Sequence, residues 1–324
     1  MKYLVTGGAG YIGSFMVKRL LDDGHTVVVI DSLERGYEKA LSSGVIFKKG
    51  SLLDKAFVDS VFTEHSFDGV FHFAAYISVA ESSKNPGMYF NNNVFASLGV
   101  LDAMVKHNVT KLLFSSTAAV YGNPQIVPIP EDHPKDPESP YGETKLMVEA
   151  LLKWYQQIHG LNYVVLRYFN ACGGAIDGSM GENHDPETHI IPNAIRAALK
   201  GSDFTLYGQD YPTPDGTCVR DYIHVLDLIE AHVLGMNAIS NGEKGAVYNV
   251  GTGKGFSNKE ILSEIEKVSG QPLKIVQAER RVGDPAELVA DSSKIKNDLQ
   301  FVPQFSDIST IISSAWKWHA KSDL

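Results

Sequence analysis

The segment Val5-Thr6-Gly7-Gly8-Ala9-Gly10-Tyr11-Ile12-Gly13 does most to limit what this chain can fold into. Tyr3–Thr6 reads as a strand, and the pattern near residues 12–23 reads as a helix. Between them, Gly7 permits a tight turn, Gly10 lets the backbone approach a pyrophosphate, and Gly13 lets helix and strand pack closely. The helix N-terminus then offers free amide donors and the positive end of its dipole to an anion. A glycine triplet alone fits ordinary turn chemistry too, so context decides. The second strand, Thr26–Ile30, ends in Asp31, where a carboxylate can accept hydrogen bonds from an adenosine ribose diol and repel a 2′-phosphate. NAD is therefore expected rather than NADP, with nearby Arg35 pulling the other way.

Further strands are expected at Val45–Phe47, Gly69–Phe73, Lys111–Ser115 and Tyr163–Tyr168, alternating with helical patterns near 54–65, 93–107 and 141–159. Such alternation means an α/β fold, a doubly wound parallel Rossmann-type sheet with right-handed crossovers. After Asn170 the texture changes. Residues 171–188 are Gly-rich and polar, a loop by composition, followed by helix 190–200, strand 204–207, a polar loop 208–219 and helix 225–238. Strand Val247–Val250, helix 258–269, strand 273–276 and a closing helix near 307–320 complete the pattern. The expected organisation is an NAD-binding domain over 1–170 and a smaller C-terminal substrate lobe over 171–324, with 222–251 returning to the first sheet.

Net charge is −9 in 324 residues, which argues against nucleic-acid or anionic-membrane partners but leaves room for an anionic ligand held by a few arginines. Cys172 and Cys218 are the two cysteines, with no CxxC and no zinc-finger spacing, as expected of thiols in a reducing cytoplasm. No charged leader and no apolar run of membrane-spanning length is visible, so a cytoplasmic location is expected.

Tyr141 and Lys145 stand four apart in Ser139-Pro140-Tyr141-Gly142-Glu143-Thr144-Lys145, on one face of a helix. A lysine ammonium there can lower the phenol's pKa, as can a positively charged nicotinamide, making a phenolate base. With 14 tyrosines in the chain, the spacing alone is weak. Its position after the fifth strand lifts it, because Ser115-Ser116-Thr117 closes that strand where ligands bind parallel sheets, and the Thr117 hydroxyl can share a hydrogen bond with substrate and Tyr141.

The glycine triplet with Thr117, Tyr141 and Lys145 resembles the extended short-chain dehydrogenase/reductase superfamily. Within it, the chain is similar to the UDP-glucose 4-epimerases from end to end, in Val5–Ser14, Phe71–Ala75, Asn91–Val94, Phe114–Gly122, Tyr168–Asn170 and Tyr211–His224. The resemblance implies that Thr117 and Tyr141 handle the proton of a sugar 4-hydroxyl, with Lys145 tuning Tyr141 and holding the nicotinamide ribose. It implies NAD contacts from Gly7, Gly10, Tyr11, Ile12, Gly13, Asp31, Ser32, Leu52, Phe73, Ala74, Ala75, Asn92, Ser115 and Tyr168. It implies UDP-hexose contacts from Asn170, His189, Tyr207, Arg220, Arg281 and Asp284, the two arginines on the diphosphate from loops of the second lobe. Each arginine taken alone reads sooner as half of a surface ion pair. A homodimer pairing the helices near 93–107 and 141–159 is also implied.

Four positions depart from the family pattern. Ser51 follows Gly50 where an aspartate is usual near the adenine. Ile77 replaces a lysine found near the cofactor phosphates in some members, His189 an asparagine on the nucleotide, and Leu288 a tyrosine at the sugar pocket's edge. Ala118 and Ala119 follow Thr117, where dehydratases of the superfamily carry Asp-Glu and decarboxylases often a glutamate, so those chemistries are disfavoured. Epimerisation of UDP-N-acetylglucosamine or UDP-glucuronate stays open as an alternative, as does, in a different class, a non-catalytic NAD-binding sensor, which would tend to lose the tyrosine or lysine. Glu182, His184, Asp185, Glu187 and His189 crowd one loop, read as solvated with no metal. The expected reaction oxidises C4 to a ketone, lets the sugar turn about its diphosphate, and returns the hydride to the other face.

Overall fold

Valines 27, 28 and 29 and Ile30 are all fully buried, which an antiparallel strand with one wet face could not achieve. They form the middle of β2 (Thr26–Asp31) in a seven-stranded parallel sheet. The computed structural model describes residues 1–281 and 284–321. The other strands of the sheet are β1 (Lys2–Thr6), β3 (Ile46–Lys49), β4 (Gly69–His72), β5 (Lys111–Thr117), β6 (Asn162–Tyr168) and Gly245–Val250. Their spatial order is Gly245–Val250, β6, β5, β4, β1, β2, β3. The order reverses between β1 and β4, which pair in parallel from Tyr3 opposite Gly69 to Thr6 opposite His72. That reversal opens a crevice at the carboxyl ends of the two strands, the place where such sheets take ligands.

By contacts the chain divides into two units. The first comprises Met1–Gly122, Pro134–Arg167 and Ile229–Tyr248. One face of its sheet packs Leu4, Val28, Ile30 and Leu112 against Val58 and Phe62, Val100 and Met104, and Val148 and Leu152. These come from helices Lys55–Glu64, Ala96–Lys106 and Pro140–His159. Each large aliphatic side chain so buried contributes about 1.5–3 kcal/mol. The other face carries helix Tyr11–Asp22, whose Arg19 reaches Glu230 at 2.6 Å. There Gly235 stands so close to Leu113 that a Cβ would lie 2.8 Å from its Cδ1.

The second unit comprises Asn123–His133, Tyr168–Leu228 and Asn249–Leu324. Its core joins Ile191 and Ile195, Ile261 and Ile265, and Ile311 and Ile312, from helices Ile190–Lys200, Asn258–Ser269 and Ile308–Lys321. The second of these starts with a reciprocal cap between Ser257 and Glu260. Strand Val219–His224 pairs with Gly255–Ser257 antiparallel, and with Glu287–Leu288 and Asn170–Cys172 in parallel. Asp203–Tyr207 pairs with Lys274–Ala278.

Several elements differ from the sequence reading. The segment returning to the first unit is narrower than 222–251, because Tyr222–His224 spend their backbone bonds on Asn170–Cys172. Residues 123–133 group with the second unit, where Ile129 accepts the side chain of Asn249. The stretch read as a loop from 171 begins inside the strand Asn170–Cys172. The helix read from residue 93 begins as an α-helix only at Ala96, after a π-helical turn, Phe90–Phe95, and short helices Val79–Lys84 and Pro86–Tyr89. No helix of the described residues is long and apolar enough to cross a membrane.

Candidate active site

Gly7 sits at φ +72° after β1, and a Cβ there would lie 2.6 Å from the backbone nitrogen of Ala74. The turn after β1 therefore touches the turn after β4, and only glycine allows it. A Cβ on Gly13 would fall 2.1 Å from the Gly7 carbonyl, so the helix can enter at that angle only without one. Gly10 differs: its Cβ would meet nothing nearer than that carbonyl at 3.4 Å. Its restraint concerns what approaches from outside. Helix Tyr11–Asp22 begins at Gly10 with no capping side chain and no acid in its first turn. The start of this helix thus turns the positive end of its dipole towards an anion.

Asp31 ends β2 and accepts from the amides of Ala9 at 3.0 Å and Leu33 at 2.8 Å. It braces the glycine turn from the side, while burial pushes its carboxyl above the usual range. Ser32 follows, its hydroxyl accepting from the Glu34 amide at 3.4 Å. Arg35 is engaged by Glu81 at 2.7 Å. Leu52 is buried among the core side chains of the sheet face, and Ala74 and Ala75 continue the chain past Phe73, whose amide bonds Thr6 at 3.1 Å. Phe73 packs against His232 at 4.9 Å between ring centroids. An open, uncapped, glycine-lined helix start beside a ribose-ready carboxylate fits a dinucleotide such as NAD.

Pro140 opens helix Pro140–His159, and Ser139 caps it by accepting from Gly142 at 3.2 Å. The cap places Tyr141 in the first turn, hydrogen-bonded to Thr117 at the end of β5. Lys145 lies one turn on, buried, and its Nζ donates to the Ser115 carbonyl at 2.7 Å over the Phe114 ring. Burial pushes the Lys145 ammonium down to about 7, against the attraction of Glu149. Burial also holds the Tyr141 phenol up, to about 12, and the Thr117 hydrogen bond is what works the other way. The Thr117 hydroxyl is the group that lowers the phenol, while the Lys145 ammonium bonds Ser115.

In the second unit, Tyr168 closes β6 and Asn170 opens the next strand opposite Tyr222. Arg220 lies on strand Val219–His224, not in a loop as the sequence suggested. Its Nη2 bonds Asp284 and its Nη1 donates to the Val219 carbonyl at 2.8 Å. Next to it, buried Asp221 accepts from the amides of Thr252 at 2.8 Å and Gly253 at 2.9 Å, fixing the strand that carries Arg220. Arg281 lies 4.2 Å over the ring of Tyr207. Four of the expected nucleotide contacts therefore meet in pairs, Arg220 with Asp284 and Arg281 with Tyr207. His189 is drawn elsewhere, its Nδ1 against Glu182. The loop that reads as solvated is so only in part: the side chains of Glu182 and Glu187 are 5% and 2% exposed, whereas Asp185 and His189 are exposed.

The sequence model of the NAD dependent epimerase/dehydratase family matches residues 3–251. This chain belongs to that family. A UDP-glucose 4-epimerase of Streptococcus mutans is 47% identical over 323 residues, 99% of this chain and 97% of its own. A solved UDP-glucose 4-epimerase superimposes with a TM-score of 0.96 at 46% identity, covering 99% of this chain and 98% of its own. The enzyme from Brucella ovis, solved in complex with NAD, gives 0.94 at 43% identity over 97% of each chain.

Membership of the epimerase/dehydratase family draws attention to buried polar groups that the sequence reading passed over. Glu149 and Arg167 form a doubly hydrogen-bonded pair, at 3.0 Å through Nε and 2.5 Å through Nη2. Ser116 adds a 2.6 Å bond to the same carboxylate, and Arg167 reaches the Tyr121 hydroxyl at 2.9 Å. The pair thereby holds β5, β6 and the helix of Tyr141 together, and removing one partner would strand a buried charge at about 3–5 kcal/mol. Its one sequence signal was Glu149 four residues after Lys145.

His72 forms a second network, accepting from Thr6 at 2.6 Å through Nδ1 and donating to Ser97 at 2.8 Å through Nε2. That tautomer is assigned because the Ser97 hydroxyl itself donates to the Asn93 carbonyl at 2.5 Å. Asn93 in the π-helical turn then donates to Tyr76 at 3.0 Å and Thr144 at 3.1 Å, while neighbouring Asn92 donates to it at 3.1 Å.

Proposed function

We propose that this chain interconverts UDP-glucose and UDP-galactose by inverting C4 of the sugar, as a cytoplasmic homodimer with tightly held NAD. The observation that carries the reading is the Thr117–Tyr141 hydrogen bond at the carboxyl end of β5, backed by buried Lys145. Two adjacent hydroxyls at that position suit a sugar hydroxyl that must lose and regain a proton. NAD, when bound, would supply the hydride acceptor and donor that inversion at C4 needs. Tyr141, with Thr117 relaying, takes the proton of the 4-hydroxyl and gives it back to the ketone oxygen, so nothing is consumed. Because burial holds Tyr141 up to about 12, its phenol is protonated at neutral pH until further positive charge stands beside it.

In this reading the second unit holds the nucleotide. Arg220 and Arg281 offer guanidinium forks to the diphosphate, Asp284 and Asn170 offer polar contacts, and Tyr207 and His189 flank them. The diphosphate would compete with Asp284 for Arg220, freeing that carboxylate for a ribose. A firm grip on UDP and few contacts to the hexose suit an intermediate that must turn over.

Support for the dimer comes from helix Pro140–His159. Met147, Trp154 and Ile158 are 40%, 61% and 67% exposed at helical spacing, and Phe95 is 58% exposed. Support for the compartment is that Cys172 and Cys218 are free and buried. A second reading, activity on UDP-N-acetylhexoses, is favoured by Leu288, half-buried and in register beside Arg220. The test is purified protein with NAD and UDP-galactose, followed by anomeric proton NMR. UDP-glucose should accumulate to the same mixture from either side, and unchanged UDP-galactose would remove the reading.

A further inference from the structure

The loop leading into helix Ile190–Lys200 brings together Glu182, His184, Glu187 and His189, whose donor atoms all lie within 4.8 Å of one another. Oε1 of Glu182 is 3.1 Å from Nδ1 of His184 and closer still to Nδ1 of His189. Oε1 of Glu187 is 3.7 Å from each of the same two nitrogens. A tetrahedral ion with bonds of about 2.0–2.2 Å has ligand-to-ligand edges of roughly 3.3–3.6 Å. The four separations fall on both sides of that length, so small side-chain shifts would complete the shell.

Burial gives the second observation. The Glu187 side chain is 2% exposed, and its Oε2 is buried with no hydrogen-bond partner. Arg196 comes no nearer to that oxygen than 3.9 Å, and its Nη2 donates instead towards Asn183 at 3.4 Å. A buried carboxylate oxygen left without a donor is a group waiting for one. With neutral imidazoles the four ligands carry two negative charges, which one divalent cation cancels.

We propose that Glu182, His184, Glu187 and His189 form a closed, structural Zn²⁺ site. Two imidazole nitrogens and two carboxylates in a four-coordinate shell suit zinc, whereas calcium and magnesium take six or more oxygens. The set offers no open position, so the ion staples rather than catalyses. It fastens the loop to two helices of the second unit. His189 is the cap residue of Ile190–Lys200 and makes no side-chain cap of its own, and the Glu182 carbonyl accepts from Trp318 at 2.9 Å. Gly181 lies so close to Trp318 that a Cβ would fall 2.3 Å from its ring, so the loop has one seat. The site leaves the epimerase reading untouched except for His189, whose Nδ1 it claims.

The experiment is metal analysis of the full chain. Protein stripped with a chelator, then given one equivalent of Zn²⁺ and desalted, should retain one zinc per chain by plasma mass spectrometry. Its thermal unfolding midpoint should rise by several degrees over the stripped form. Co²⁺ in place of zinc should give the intense visible bands of four-coordinate cobalt. Glu187→Gln and His184→Gln should each lower zinc retention roughly tenfold or more and abolish the thermal shift, with the far-ultraviolet dichroism unchanged. Should Glu187→Gln fail to fold, His184→Gln decides alone. Wild-type protein that keeps no zinc, zinc content indifferent to the substitutions, or six-coordinate cobalt spectra would each overturn the site.

Discussion

The Lys145 ammonium donates to the Ser115 carbonyl across 2.7 Å, and together with the Ser116–Glu149 bond it ties the helix bearing Tyr141 to the strand bearing Thr117. The bond explains why a lysine, rather than any cation, stands one turn beyond the tyrosine. It spans helix to sheet while burying its charge against a backbone dipole and the Phe114 ring.

Tyr141→Phe removes the proposed proton carrier and leaves the second unit unchanged. Turnover should fall by about 10²–10⁴-fold, the usual worth of a positioned acid or base, while UDP affinity stays within twofold or so. Steady-state kinetics and UDP titration calorimetry measure the two separately. A kcat near that of the wild type would exclude Tyr141 from proton transfer.

Asp31 has two jobs that substitution can separate. Asp31→Asn keeps one acceptor for the Ala9 or Leu33 amide but discards the charge, whereas Asp31→Ala loses both. If the charge repels a 2′-phosphate, both variants should narrow the preference for NAD over NADP, and alanine should also lower bound NAD after desalting. Cofactor content and preference identical to wild type in both variants would place the ribose elsewhere.

Burial, aided by the charge of Lys145, pushes His72 down to about 3 from an ordinary value of 6.5. The folded chain thus binds fewer protons at this site than the unfolded chain between those two values. Stability from this group is present in full above about 6.5 and is lost as pH falls towards 3. His72→Gln should be less stable at pH 7, because it disturbs the bonds to Thr6 and Ser97. Its urea midpoint should nevertheless fall less steeply between pH 6 and pH 4 than that of the wild type. Parallel slopes would show that His72 is not held neutral.

Trp154 and Ile158 stand exposed one turn apart on the helix of Tyr141. Trp154→Glu combined with Ile158→Lys should yield a monomer in sedimentation velocity at micromolar concentration, with the wild type a dimer. A wild-type monomer would refute the assembly outright. A variant that still dimerises would move the interface to another face.

Much of the first unit was legible because its signals are local. Alternating strands and helices, a glycine turn and a carboxylate one strand on are all read within short windows, and Thr26–Asp31 and Pro140–His159 lie within a residue of expectation. What stayed hidden depends on partners distant in sequence. Glu149 and Arg167 are 18 apart, Thr6 and His72 66 apart, and Arg220 and Asp284 64 apart. No periodicity announces such pairs. The loop at 182–189 is opaque for the opposite reason: its composition is that of a solvated loop, and only the fold of the second unit buries Glu182 and Glu187.

Leu288 pairs in register with Arg220, so its side chain borders the strand assigned to the diphosphate. The family resemblance implies a tyrosine at this place in some members, whose ring would crowd the sugar's C2 substituent as the ketone turns. Leucine is shorter and carries no hydroxyl, which leaves room for an N-acetyl group. Pocket size alone discriminates by about 1–3 kcal/mol, so the gain is modest and both substrates should be used. The wild type is expected to epimerise UDP-N-acetylglucosamine measurably. Leu288→Tyr should lower kcat/KM for that substrate by roughly 10–100-fold while changing the UDP-glucose reaction little. Separate assays of each sugar nucleotide by capillary electrophoresis give both ratios. A wild type active on UDP-glucose but inert on the N-acetyl substrate would show that neighbouring side chains, rather than position 288, close the pocket.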